Sequence, residues 1–234
     1  DAIALTPKVM NAGITPVCVE FMDNASIKQV EVFLDEKLPK SDVGNYIIIQ
    51  IAGDNEDVLM DQCEKIVELA EENNAIDSLV ADPAVIWKSR KAYLEADRAR
   101  SLVFSMEDIV VPMTEIPGAV QQISRLSEKY NVAMHCAGHC GDGNVHIDIL
   151  KDDRTQEEWE EMLPKIQGEI YALVYQLRLS GEHGIGYKRE ALLEKYTDPV
   201  ELKMMKAVKK ALDPKNIMNP GKVVSINDEV PVEE

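Results

Sequence analysis

The sequence predicts an α+β sandwich built on an antiparallel or mixed sheet with helices mainly on one face, and three observations predict it. Short apolar and β-branched runs alternate with amphipathic segments of helical length, so strands and helices interleave along the chain. The runs flanking Gly141-Asp142-Gly143 are joined by a glycine-rich turn, which pairs them antiparallel. The 234 residues, 45% of them hydrophobic, can bury a sizeable core and contain no apolar run of membrane-spanning length.

Each element has its own signal. Val17 to Met22 reads as a short buried strand, and Asn24 opens an acidic amphipathic helix that ends before Pro39. Tyr46 to Ala52 is a β-branched run closed by Gly53; Asn55 then caps a helix reaching about Asn73. Ile76 to Ala81 is expected as a third strand. Asp82 as N-cap and Pro83 at the first helical position open the next helix, through Trp87, Arg90 and Leu94 to near Arg100. Leu102 to Val111 is apolar with interrupting acids and stops at Pro112, and Thr114 and Pro117 introduce a helix ending near Tyr130. A strand from Val132 and another from Asn144 to Leu150 follow. Thr155 with Glu158 forms a capping box for a long helix to about Leu179, which Gly181 is placed to terminate. A helix from Pro199 to Leu212 leads into a turn-rich segment and an acidic, frayed end.

Charge narrows the partners. With 42 acidic and 25 basic residues the formal charge is −17, which repels phosphate backbones and anionic lipid surfaces. Nucleic acid is therefore excluded as a partner. The same field disfavours small anionic substrates, so a site for a carboxylate needs a local cation or a metal. Cys18, Cys63, Cys136 and Cys140, without a basic and then apolar leader, fit a reducing cytoplasm. A start at Asp1 is expected of a cut inside a longer protein.

Three of the four histidines fall between His135 and His146. In an extended segment His135 and His139 share one face and Cys136 and Cys140 the other, which argues against a Cys2His2 zinc site. The tight Gly-Asp-Gly turn can fold His146 back beside His139. The fourth histidine lies in the glycine-rich loop Ser180-Gly181-Glu182-His183-Gly184-Ile185-Gly186, whose glycine spacing and lack of a preceding strand rule out a dinucleotide fingerprint. Glu182 with His139 and His146 makes a two-histidine, one-carboxylate set that leaves a coordination position open, as catalytic metals require. His183 stays free to move a proton. Singly, each residue also suits a structural role, the histidines as hydrogen-bonded strand ends and Gly181 and Gly184 as helix-stop and turn positions; four histidines confined to two glycine-rich turns beside a Glu favour a site. Trp87 and Arg90 share a helical face, where an indole can flank a guanidinium that grips a carboxylate. Arg90 equally suits an answer to the surplus of acids.

These residues resemble the C-terminal part of FAD-linked oxidases of the vanillyl-alcohol oxidase type, which include D-lactate, glycolate and D-2-hydroxyglutarate dehydrogenases. His139 to His146 looks like the family's HxGDGNxH, Gly181 to Gly186 is similar to its GEHGIG, and Asp213 to Lys222 to its DPxxxxNPGK, while Trp87 to Arg90 fits WxxR. The resemblance implies a ferredoxin-like cap or substrate domain over residues 1–224, an acidic tail at 225–234, and an N-terminal FAD-binding domain outside this chain. It implies that His139, His146 and Glu182 hold a divalent metal (Zn, Fe or Mn), that Arg90, with Asn144 and Trp87, binds substrate, and that His183 is the base. Asn219 to Lys222 would pack toward the flavin domain, so Asn219 and Lys222 are expected near the cofactor. Relatives that take dicarboxylic acids carry a further cation near Met106; its absence here implies a small 2-hydroxy monocarboxylate such as lactate or glycolate.

The expected reaction is oxidation of a 2-hydroxyacid with hydride transfer to FAD, the fragment alone being inactive. An electron-transfer flavoprotein, a quinone or an iron-sulfur subunit would suit as acceptor. A metal-dependent hydrolase is the alternative, because the same ligand set can generate a metal hydroxide; a catalytically dead binding domain is a third class.

Overall fold

The computed structural model describes residues 1–174 and 181–226. Five strands, β1 (Cys18–Met22), β2 (Tyr46–Gln50), β3 (Phe104–Val110), β4 (Met134–His139) and β5 (Asn144–Leu150), form one sheet in the order β2-β1-β4-β5-β3. Every pairing is antiparallel. With the helices this is the expected α+β architecture.

Local chemistry explains the helix starts. Asp23 caps α2 (Asn24–Leu34) by accepting from the Ser26 amide. Asn55 accepts from the Asp57 and Val58 amides at the head of α3 (Glu56–Glu72), and Asp82 from the Ala84 amide ahead of Pro83 in α4 (Pro83–Arg100). Met113–Glu115 forms a 3-10 turn into α5 (Ile116–Tyr130). Before α6 (Gln156–Val174) the capping box closes in both directions: Glu158 accepts from the Thr155 amide at 2.9 Å, and Thr155 Oγ1 from the Glu158 amide at 3.2 Å. The expected end of this helix near Leu179 lies outside the described residues, as does most of the acidic tail.

The helices divide between the faces of the sheet. Strand residues Val19, Phe21, Cys136, Val145, Ile147 and Ile149 form the main core with α5 and α6. On the same face α1 (Leu5–Asn11) and α3 pack against Ile47 and Ile49 of β2. On the other face Met22 and Ala137 meet the α2–α4 pair. Helices thus lie mainly on one face, and the second layer covers only part of the other, leaving room beside β5 and β3.

Three features differ from the sequence reading, one of them α1, a helix over residues that the sequence reading left unassigned. Ile76 to Ala81 is not a strand: Ile76, Leu79 and Val80 are exposed, and the segment is an irregular link between α3 and α4. Its β-branched composition has no ladder to join, because the edges of the sheet are β2 and β3 and neither pairs with it. A short α7 (Glu190–Tyr196), preceding α8 (Pro199–Leu212), had no cap signal: Arg189 at its N-cap makes no side-chain bond there.

Candidate metal and substrate site

Strand register gathers polar side chains at one end of the sheet. Glu20 stands opposite His139, His139 opposite Asn144, and His146 opposite both Ala137 and Asp108. Opposed residues share a face, so Glu20, His139, Asn144, His146 and Asp108 all point to the side that carries α2 and α4. The turn that makes this possible needs Gly143 at φ 86°, where a Cβ would run into the Val111 carbonyl.

The three expected metal ligands converge. His139 Nε2 and His146 Nε2 lie 3.4 Å apart, and Glu182 Oε1 lies 3.5 Å from the first and 3.4 Å from the second. The His146 and His183 ring centroids are 5.4 Å apart, and His183 is half exposed. His135 stands apart from this group, buried and bonded through Nδ1 to Asp97 of α4.

Two carboxylates absent from the sequence reading organise the site. Glu20, almost wholly buried, accepts from His139 Nδ1 at 2.7 Å through one oxygen and from Arg90 Nε at 3.1 Å through the other. The bond to Glu20 raises the His139 pKa in spite of burial. Asp108 accepts from Asn144 Nδ2 at 2.9 Å and from the His183 amide at 2.8 Å, and faces His146 Nδ1 at 3.5 Å. Burial pushes the Asp108 carboxyl up, but His146, the His183 amide and Asn144 outweigh it and hold it well below the usual carboxylate range. Neither acid carries a motif signal; each was one more acid interrupting an apolar run, and only strand pairing reveals its partner.

The expected substrate residues are placed as follows. Arg90 is mostly buried, paired with Glu20, and stacked on Tyr93 with its guanidinium carbon 5.9 Å from the ring centroid. Trp87 instead donates its indole N–H to Gln50 of β2 at 3.0 Å. Asn144 is buried, and its Oδ1 has no hydrogen-bond partner among the described residues. Asn219 and Lys222 are exposed, in a segment fastened to the 181–186 loop by the Val223 amide donating to the Gly186 carbonyl.

That loop is tied at both ends to β3. Asp108 holds Gly181 through its carbonyl and His183 through its carboxylate. On the opposite face buried Glu107 accepts from Lys188 Nζ at 2.6 Å and from the Tyr171 hydroxyl at 2.7 Å. Lys188 also reaches the Met106 carbonyl, but its charge is matched by Glu107 on the far side of the strand from the histidines.

The donor set fits a cation. With Nδ1 of His139 donating to Glu20, the lone pair of its neutral ring is at Nε2; His146 has the same arrangement if its Nδ1 proton faces Asp108. Two such lone pairs and a carboxylate oxygen, each within 3.5 Å of the others, repel unless positive charge lies between them. Two nitrogens and one oxygen suit Zn, Fe or Mn and leave open positions.

A profile described as FAD linked oxidases, C-terminal domain, matches residues 1–223. The chain belongs to that family. Among curated relatives of this C-terminal domain, a D-lactate dehydrogenase of Anaerostipes hadrus is 32% identical across 95% of the chain and 49% of the relative. The glycolate oxidase subunit GlcD of Bacillus subtilis is 31% identical across 95% of the chain and 48% of its own length. The FAD-linked oxidase C-terminal domain thus spans about half the length of these curated relatives. A crystal structure of p-cresol methylhydroxylase with substrate bound covers 98% of the chain and 52% of its own at a TM-score of 0.65 and 14% identity, a likeness of fold. Membership implies FAD as the cofactor of the family's proteins. Among the described residues no helix is long and apolar enough to cross a membrane.

Proposed function

We propose that this domain is the substrate-binding, metal-carrying part of a flavin-dependent 2-hydroxyacid dehydrogenase of the D-lactate or glycolate type. The observation that carries the reading is the convergence of His139, His146 and Glu182 beside Arg90 and His183 in a chain of the FAD-linked oxidase family. Arg90, steadied by Glu20 through Nε and Nη2, offers its Nη1 hydrogens to the substrate carboxylate. His139, His146 and Glu182 hold a divalent ion, which when bound lowers the pKa of the substrate hydroxyl. His183, half exposed and with its Nε2 3.7 Å from Glu182 Oε1, takes the hydroxyl proton. Asn144 lines the floor of the site. FAD, held by the other half of the protein with Asn219 and Lys222 on the side of this domain that would face it, would supply the acceptor for the C2 hydride as the C–O bond becomes a carbonyl.

Lys188 is neutralised by Glu107 on the opposite face, so among the described residues no second free cation stands near Met106, which favours a monocarboxylate. The four cysteines are free, in keeping with the cytoplasm, and an electron-transfer flavoprotein or iron-sulfur subunit suits as acceptor. The hydrolase alternative has no support from the family or its relatives.

The test uses the intact, flavin-containing protein. Metal content should fall nearly to zero in His146→Ala, and D-lactate or glycolate should bleach the flavin absorbance without added nucleotide. Unchanged metal content in the variant, or turnover of an ester or amide without flavin, overturns the reading.

A further inference from the structure

Asp108 sits where the two halves of the site join. It belongs to β3, whereas the three ligands of the proposed ion site come from β4, β5 and the 181–186 loop; with His146 and His183 it also forms a second cluster of ligand-type groups. Its carboxylate is fully buried and surrounded by donors alone: Asn144 Nδ2 at 2.9 Å and His146 Nδ1 at 3.5 Å on one oxygen, the His183 amide at 2.8 Å on the other. Its own carbonyl accepts from the Gly181 amide at 3.3 Å. Among the described residues His146 Nδ1 is buried without a hydrogen bond of normal geometry, so an N–H there has Asp108, 3.5 Å away, as its acceptor after a contraction of the kind sites undergo on loading.

We propose that Asp108 is a positioning residue that fixes His146 with its proton on Nδ1 and its Nε2 lone pair toward the ion, while anchoring Gly181 and His183 so that ion and base share one frame. The inference rests on the reading of His139, His146 and Glu182 as ion ligands. Aspartate is required rather than asparagine because each of the three side-chain and amide partners is a donor. A carboxylate accepts from all of them; an amide has one acceptor oxygen and turns an NH2 group against the rest. Glutamate would carry the charge one methylene further into a space already filled by Asn144 and the loop backbone. A buried carboxylate behind a ligating imidazole contributes about 10–100-fold to metal affinity.

The experiment measures Zn2+ affinity of the intact protein by chelator competition for the unaltered chain, Asp108→Asn and Glu182→Ala, with unfolding midpoints recorded alongside. Asp108→Asn should bind Zn2+ about 10–100-fold more weakly, and kcat should fall with little change in KM, because His183 is displaced while Arg90 is not. Equal Zn2+ affinity in a folded Asp108→Asn overturns the proposal. A separate measurement needs no variant: the nitrogen chemical shifts of His146 in the Zn2+-loaded, unaltered protein should report the Nδ1-protonated tautomer. The Nε2-protonated tautomer overturns the proposal even if Asp108→Asn does not fold. Failure of the underlying reading looks different: the unaltered protein binds no Zn2+, or Glu182→Ala binds it as well.

Discussion

Gly181 is a residue defined by its neighbours. A Cβ at this position would lie inside the contact envelopes of Asn144 Nδ2 and the Asp108 carboxylate, so the loop approaches β3 closely only because the side chain is absent. Gly181→Ala should displace Glu182 and His183 together and lower both Zn2+ affinity and turnover at least tenfold, which metal titration and steady-state kinetics would show. Asp148 makes a different demand. Burial, and next to it the charge of Asp97, raise its pKa to about 7, and neither of its oxygens has a hydrogen bond of normal geometry among the described residues. Between about pH 4 and 7 the folded chain keeps a proton that the unfolded chain releases, so this group takes away stability as the pH rises through that window. Asp148→Asn removes the penalty and supplies an N–H donor beside Asp97. Its melting temperature should exceed that of the unaltered protein by several degrees at about pH 8 and match it at about pH 4. At this scale His139, His146, Glu182 and His183, which the structure brings together, could be picked out in the sequence because ligand-type residues crowded into glycine turns are conspicuous. Glu20 and Asp108 stayed hidden, since an acid in a strand means nothing until the strand opposite is known.

Helix starts were legible because a cap is a conversation over three residues. Asn55, Asp82 with Pro83, and Thr155 with Glu158 all act as their spacing implies. Thr155→Ala should cost about 1 kcal/mol in urea unfolding with the m-value unchanged, as loss of an exposed N-cap does. The Ile76 to Ala81 segment was misread for the opposite reason. Its residues favour a strand, but strand formation depends on a free edge, and that information lies nowhere near the segment.

For the molecule as a whole, alternation of strand and helix runs together with one glycine-turn hairpin was enough to give an α+β sandwich on an antiparallel or mixed sheet, and the structure has it antiparallel throughout. The order β2-β1-β4-β5-β3 was not legible, because pairing joins residues more than a hundred positions apart, as Glu20 and His139 are. Ile147 belongs to the core on the face away from the histidines and is fully buried. Ile147→Ala should lower stability by about 2–5 kcal/mol, yet the folded fraction should keep its Zn2+ affinity, measured by the same chelator competition, since none of the ligands rests on that side chain.

The consecutive acids of β3 also make the site a gauge of strand phase. Glu107 serves Lys188 on one side of the sheet and Asp108 serves His146 on the other. Sliding β3 by a single position along β5 would exchange their sides, leaving the lysine with the shorter acid and the imidazole with the longer one. Such a misthreaded chain could be compact and helical and still be unable to assemble the proposed ion pocket. Ion uptake during refolding would therefore count correctly threaded molecules, which circular dichroism cannot distinguish from their shifted counterparts.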